Sequence, residues 1–410
     1  MYRRLLTQRI VNALTDTRVV LLNGARQVGK STLARQLAGE RDGQYLTLDD
    51  PAVAALAHSD PGALVQSAEA FTVIDEAQLA PGLFAALKRE VDRDPRPGRF
   101  LLTSSANVFL LPRIAESLAG RMEVLTLHPL TQAEIAGSQH SLVDALFDPA
   151  PWAIRTLPAS RAELVRRLLA SGFPEALGRT DAQRRDAWFG AYLASLLQRD
   201  VRAYSNIEGL NDLPRLLGLL AARSGALLNM AELSRATGIA HSTLRRYLAL
   251  LEATFILQPL PAWSANLGKR LVKAPKIHLL DAGLAAHLQG ELDAAALAAS
   301  VRIGPLLETF VVQELRRQLG WSRTRASAWH LRTAAGREVD LVLEAAGHRV
   351  VGIEVKASAS VGPGDFAGLR ELQAAAGPGF VRGVLFYSGD QMLPFGERLW
   401  AVPLAVLWAG

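Results

Sequence analysis

The stretch Leu21 to Thr32, LLNGARQVGKST, constrains this chain more than any other. An apolar run, Val19 to Leu22, has the composition of a strand buried on both faces, and Ser31, Thr32, Leu33 and Leu37 open an amphipathic helix. Between them, Gly24, Gly29, Lys30 and Ser31 fill the pattern G-x-x-x-x-G-K-[ST]. Glycines let backbone N–H groups close around phosphates, and the following helix N-terminus adds a favourable field. Lys30 can reach the β- and γ-oxygens, and the Ser31 hydroxyl can sit on Mg²⁺. The whole loop, with Ala25, Arg26, Gln27, Val28 and Thr32, is therefore read as a cofactor site for ATP and Mg²⁺. The bland reading is a chance glycine-rich turn, and the strand-loop-helix context argues against it.

A phosphate loop needs a carboxylate partner. FTVIDEAQ, Phe71 to Gln78, has the form of a buried strand delivering Asp75 and Glu76 at its tip. Asp75 is assigned to the metal shell and Glu76 to the attacking water. A further strand beginning at Arg99 ends in Thr103, Ser104 and Ser105, and is expected between the two motif strands, with Ser105 near the γ-phosphate or water. Arg121 follows Gly120 at a helix end. It can project into a neighbouring subunit's site, or simply cap the helix dipole.

At 410 residues the chain has room for two to four domains. Half of it is hydrophobic, yet mean hydropathy is only +0.14, and no apolar stretch approaches the roughly 18 residues of a membrane span. The N-terminus is amphipathic and charged throughout, unlike a signal peptide, so the expectation is a cytoplasmic protein with no membrane partner. The chain has no cysteine, which excludes disulfides, zinc–thiolate sites and cysteine nucleophiles. A net charge of +6 and a pI near 9.8 favour polyanionic partners.

GARQVGKST, the LDD after the second strand, VIDEAQ, LLTSSA and SLAGR-to-HPL together resemble the bacterial and archaeal AAA-type ATPases with a C-terminal extension. SGFPEAL at 171, LLQRDV at 196, LRRYLALLEATFIL at 244 and KRLVKAPKIHLLDAGLAAHL at 269 extend the resemblance over nearly the whole chain. It implies ATP binding. Ser104 stands where the family usually has glycine, which leaves open which residue of that strand senses the phosphate.

The α/β fold expected is a P-loop AAA-type core over 1–135, a helical lid and linker over 136–210, a winged helix-turn-helix over 211–300, and a restriction-endonuclease-like domain over 301–410. His140 to Ala159, rich in Asp, Pro and Ala, reads as a linker or loop. In the third segment MAELSRATG, a turn at Ile239-Ala240 and HSTLRRYLALLEATF have helix-turn-helix spacing. Ser242, Thr243, Arg245 and Arg246, near the start of the second of these helices, are read as DNA contacts, joined by Lys269 and Arg270 in a basic tip that continues to Lys273 and Lys276. Protein contact is the alternative for this module.

The last segment reads as the element order αβββαβ, with Asp340 on one strand and Glu354 and Lys356 two residues apart on the next. Alternate residues of a strand share a face. Asp340 and Glu354, helped by Glu308 from the preceding helix, can hold Mg²⁺ beside a scissile phosphate while Lys356 assists a water. This arrangement resembles the restriction-endonuclease-like fold. The counter-reading makes Glu354 and Lys356 a plain ion pair. The chain is thus expected to be an ATP-hydrolysing DNA-binding protein that moves along or remodels DNA, with cleavage open, and to assemble as a homo-oligomer such as a hexameric ring. The alternative is a nucleotide-switched DNA- or protein-binding regulator with an inactive nuclease-like domain.

Overall fold

The computed structural model describes residues 2–107, 118–204, 212–266 and 273–409, with backbone alone at 199–204. It divides into two compact units, Met1–Pro129 with Leu250–Ile256, and Leu130–Ala249 with Leu257–Gly410.

The first unit contains α1 (Thr7–Asp16), β1 (Val19–Asn23), α2 (Lys30–Glu40), β2 (Gln44–Thr47), α3 (Pro51–Ser59), α4 (Pro61–Gln66), β3 (Thr72–Asp75), α5 (Gly82–Arg93), β4 (Phe100–Ser104) and β5 (Met122–Thr126). Every residue of β1, β3 and β4 is buried, as expected of strands covered on both faces. They form a parallel sheet in the order β2-β3-β4-β1-β5, so β4 does lie between the two motif strands. The chain leaves β1 for β2 on one side and later enters β5 on the other, and the crevice at such a reversal of strand order is where open α/β sheets take their ligands. Leu21, Ile74, Phe84, Leu87, Phe100 and Leu102 form its core. Each side chain of this size contributes about 1.5–3 kcal/mol by burial, and Phe84→Ala would cost about 3–5 kcal/mol. Asp50 ends the β2 segment by capping α3, accepting from the N–H groups of Ala52 at 2.8 Å and Val53 at 3.4 Å.

The second unit opens with α6 (Gln132–Ala136), α7 (Leu142–Phe147), α8 (Arg161–Ala170) and α9 (Ala182–Tyr204). Helix α7 corrects the linker or loop reading of 140–159 at 142–147, while 148–159 hold no helix or strand of the fold. Ser141 caps it, Leu142, Val143, Leu146 and Phe147 are buried, and Gln318 Oε1 accepts from Leu142 N–H at 2.8 Å. The apolar pattern was there, but it spans less than two turns and is flanked by Pro149 and Pro151. The following loop is strapped by Arg382, whose guanidinium donates to the carbonyls of Ala145, Asp148 and Ala150 and lies 4.0 Å from the centre of the Trp152 ring.

Next come α10 (Leu213–Ala222), α11 (Met230–Thr237), α12 (His241–Ala253) and the antiparallel pair β6 (Leu257–Leu260) and β7 (Lys276–Leu279). Gly238, left-handed at φ 76°, ends α11 where the turn was expected. After α13 (Ala282–Leu288) follow α14 (Ile303–Leu319), β8 (Ala326–Arg332), β9 (Glu338–Ala345), β10 (Arg349–Lys356), α15 (Ala367–Ala376) and β11 (Phe380–Tyr387), the expected order of elements. Two further strands, β12 (Leu393–Pro394) and β13 (Leu399–Pro403), extend the sheet to the order β12-β13-β11-β10-β9-β8. Their brevity and their prolines, which suit only strand ends and edges, hid them in the sequence. Among the described residues, no helix is long and apolar enough to cross a membrane.

Candidate functional site

In the first unit, Gly24 leaves β1 at φ 146°, and a Cβ there would stand 2.2 Å from the Leu127 carbonyl oxygen, so no side chain fits. Gly29 is the N-cap of α2 and offers no capping side chain, which leaves the first turn open to an outside acceptor. Lys30 Nζ is folded onto the loop itself, donating to the carbonyls of Gly24 and Ala25, both at 2.9 Å. Arg4 holds the loop from outside, donating to the Val28 carbonyl at 2.7 Å and the His128 carbonyl at 2.6 Å.

The carboxylates sit at the tip of β3, with β4 beside it. Asp75 is buried, and its two oxygens accept from Tyr45 Oη at 2.7 Å and Thr103 Oγ1 at 2.5 Å. Thr103 in turn accepts the Glu76 N–H at 3.0 Å, tying strand to strand. Glu76 has a left-handed backbone, φ 57°, and its Oε2 accepts from Gln78 Nε2 and from Ser105 Oγ at 2.9 Å. Ser105 thus meets Glu76, while Ser104 Oγ donates to the Ala106 carbonyl at 3.0 Å. A carboxylate oxygen has more than one acceptor site, so the Asp75 oxygens remain available to a hydrated cation. The donor set and the glycines at both ends of the loop fit ATP with Mg²⁺. Arg121 is held within its own unit by Asp92, with Nε–Oδ1 at 2.6 Å and Nη2–Oδ2 at 3.0 Å.

In the second unit, Ser242, Arg245 and Arg246 are exposed on α12 and Thr243 is half-buried. Lys269 and Arg270 lie outside the described residues. Lys273 is exposed, but Lys276, read from sequence as part of the same basic tip, is buried. Its ammonium donates to Glu308 Oε1 at 2.8 Å and Asp340 Oδ1 at 2.9 Å, with Glu338 Oε2 at 3.8 Å. Strands β9 and β10 bring Asp340 and Glu354 together, and helix α14 adds Glu308, as expected. What stands between Asp340 and Glu308, however, is a lysine. Asp340 Oδ2 accepts the Val355 N–H at 3.0 Å and Glu354 Oε1 accepts Lys356 Nζ at 2.9 Å. Glu354 Oε2 has no hydrogen-bond partner. Mg²⁺ demands oxygens at about 2.0–2.1 Å in near-octahedral order, which these residues do not offer. Among the described residues, no group of three or more His, Cys, Asp or Glu side chains is arranged to hold a metal ion.

Burial first, and then the charge of Asp340, push Glu308 up to about 8 against the pull of Lys276. Burial and Asp340 likewise push Glu354 up to about 8, against Lys356. Burial works against the Lys276 ammonium, but Asp340 and Glu308 outweigh it and hold its pKa above the usual lysine range. His278 is fully buried, and burial and Lys276 hold it well below the ordinary histidine range, so it adds no positive charge.

Residues 16–136 match the family described as "AAA domain", 161–295 match "Domain of unknown function (DUF8612)", and 303–407 match "Domain of unknown function (DUF4143)". Two relatives, "Uncharacterized protein Rv2008c" of Mycobacterium tuberculosis and "Uncharacterized protein Mb2031c" of Mycobacterium bovis, are each 32% identical over 403 residues, 98% of this chain and 83% of theirs. The chain belongs to their family. Among solved structures it is similar to the Walker-type ATPase PABY2304 of Pyrococcus abyssi, at 16% identity over 70% of this chain and 96% of that one, with a TM-score of 0.44. It is also similar to the RuvB Holliday junction branch migration motor of Thermotoga maritima, at 19% identity over 62% and 88% of the two chains, with a TM-score of 0.30. Scores this low bear no argument about this chain.

In this member of the family, the phosphate loop and the Asp75–Glu76 pair come from two sequence motifs that spacing made visible. Arg4, Tyr45, Gln78 and Lys276 were not singled out for these roles. Gln78 lies in VIDEAQ, two positions after Glu76, where a polar residue so close to a functional carboxylate is a usable signal, whereas Tyr45 is 30 residues from Asp75 and carries none. Nothing local marked Arg4 or Lys276.

Proposed function

We propose that this protein hydrolyses ATP and couples hydrolysis to binding and moving along or remodelling DNA, duplex or branched. The observation that carries the reading is that Asp75, Glu76 and Thr103 are hydrogen-bonded together at the tips of β3 and β4, while β4 lies beside β1, the strand that leads into the Gly24–Lys30 loop. Phosphates enter the cradle between Gly24 and Ser31. Lys30 exchanges two backbone carbonyls for phosphate oxygens. Mg²⁺, held through Ser31 and Asp75, would neutralise phosphate charge. Glu76 becomes able to orient the attacking water once its carboxylate turns from Gln78 and Ser105. Arg121 acts on a neighbouring copy's nucleotide in a ring-shaped homo-oligomer only after releasing Asp92.

The DNA-facing part is read as a winged helix-turn-helix built from α10, α11, α12 and the β6–β7 pair. Exposed Arg245 and Arg246 supply charge for phosphates, and Ser242 and Thr243 supply hydroxyls near the helix start. The αβββαβ order of the last segment supports a restriction-endonuclease-like fold used for binding. One observation favours the second reading, a nucleotide-switched regulator with an inactive nuclease-like domain: Lys276 sits among the carboxylates.

DNA-stimulated ATPase activity tests the proposal. Linear, forked and four-way DNA should raise the hydrolysis rate, and replacing Arg245 and Arg246 by alanine should remove the stimulation while basal hydrolysis persists. ATP hydrolysis that no DNA alters, with no salt-sensitive DNA binding, would overturn the DNA part.

A further inference from the structure

A cluster of buried carboxylates needs a cation, and here the chain provides its own. We infer that Lys276 is the resident cation of the Glu308–Asp340–Glu354 cluster, making it a lysine-filled site that excludes a divalent metal. The last segment then binds without cutting.

Four observations support this. The ammonium lies between Glu308 and Asp340, at 2.8 and 2.9 Å, bridging two elements that the sequence expected a metal to bridge. The Lys276 side chain is only 3% exposed, so the ammonium is held in the interior at the point where a metal was expected. The residues before and after it in β7 and its approach are laced to residues 225–228. Gly225 N–H donates to the Ile277 carbonyl at 2.7 Å, Ile277 N–H to the Ala226 carbonyl at 3.0 Å, and Leu228 N–H to the Pro275 carbonyl at 2.8 Å, so β7 is not free to carry the lysine away. Finally, Gly225 makes room for the Glu308 carboxylate. A Cβ at this glycine would lie 3.0 Å from Glu308 Oε2, and its φ of 88° already suits glycine alone.

Energetics point the same way. Two ammoniums, Lys276 and Lys356, already touch the cluster, and a divalent ion placed among them would be repelled at close range in a medium of low polarity. Withdrawing Lys276 to admit the ion would first strand buried carboxylates without a counter-charge. Ion pairing inside the cluster therefore replaces metal binding.

The test is Mn²⁺ binding to the full chain without nucleotide, followed by electron paramagnetic resonance and calorimetry. An Asp75→Asn background keeps the phosphate-loop site from contributing. With Lys276 present, no Mn²⁺ should be held by the cluster, and linear, forked and four-way DNA should stay uncut with Mg²⁺ or Mn²⁺. Lys276→Met should gain about one Mn²⁺ per chain, and Asp340→Asn added to it should remove that ion. Stoichiometric Mn²⁺ in the lysine-bearing chain that Asp340→Asn abolishes would overturn the inference. So would metal-dependent cutting that Glu354→Ala stops, or a folded Lys276→Met chain that takes no Mn²⁺. Should Lys276→Met not fold, the titration of the lysine-bearing chain with and without Asp340→Asn decides alone. The result is independent of DNA-stimulated ATPase activity, so either idea can fail without the other.

Discussion

Tyr45, the second residue of β2, and Asp75, the last of β3, are joined by a 2.7 Å hydrogen bond, so a residue outside both nucleotide motifs orients the carboxylate read as the metal's. Burial and the Asp75 contact raise the phenol well above its usual range, so the donor stays protonated at any working pH.

Tyr45→Phe removes that donor and leaves the ring. We predict a loss of about 1.5–3 kcal/mol in stability, as for other hydrogen bonds to charged groups, and a several-fold fall in kcat at saturating ATP. Thermal melts and steady-state kinetics over a range of Mg²⁺ check it. Wild-type values in both would mean that Thr103 alone orients Asp75.

Lys30→Ala should abolish ATP binding or hydrolysis, because it removes the cation that faces the β- and γ-phosphates. Glu76→Gln should keep binding and slow hydrolysis by roughly 100-fold or more. Fluorescent-nucleotide binding beside phosphate release separates the two steps. Hydrolysis at the wild-type rate in Glu76→Gln would remove the water-orienting role from this residue.

DNA affinity should fall steeply with added salt, because lysine and arginine contacts release counterions from phosphate. Alanine at both Arg245 and Arg246 should weaken binding to every sequence and reduce the log–log salt slope by roughly 2. Fluorescence anisotropy across a salt series measures this. An unchanged slope would move the DNA contact off α12.

Stability should depend on pH through Glu314, which burial pushes up to about 7 despite the nearby Arg317 charge. The folded chain binds this proton more tightly than the unfolded one, so the contribution is complete below the unfolded value and is lost as pH rises through about 7. A shift of this size corresponds to roughly 3 kcal/mol. Glu308 and Glu354 act in the same sense, so Glu314→Gln should reduce the decline without removing it. Gln132 N–H and Gln318 Nε2 still need an acceptor there, so the variant has no advantage in acid. The melting-temperature difference between variant and wild type should move in the variant's favour from pH 5 to pH 8. A constant difference would show that Glu314 does not titrate in this window.

Sequence by itself determined the parts whose physics is local. Gly24 to Ser31 is a contiguous cradle, the Asp75–Glu76 pair ends an apolar strand, and the order α14, β8, β9, β10, α15, β11 follows from periodicity and turns. Such features depend on neighbours a few residues apart, so spacing reveals them. The helix at Leu142–Phe147 was harder, because its short apolar face is recognisable only against Gln318 and the rest of its unit. Only the tertiary structure decided what Lys276 does. In the sequence it is one more base in a run with Lys269, Arg270 and Lys273, and the natural reading is an exposed positive tip. Folding places Glu308 and Asp340, 32 and 64 residues further along, against its ammonium. A charge is stable in the interior only beside its opposite, and that partner comes from elements distant in the chain, so the same lysine is a surface contact or a buried counter-ion according to a register that no local pattern records.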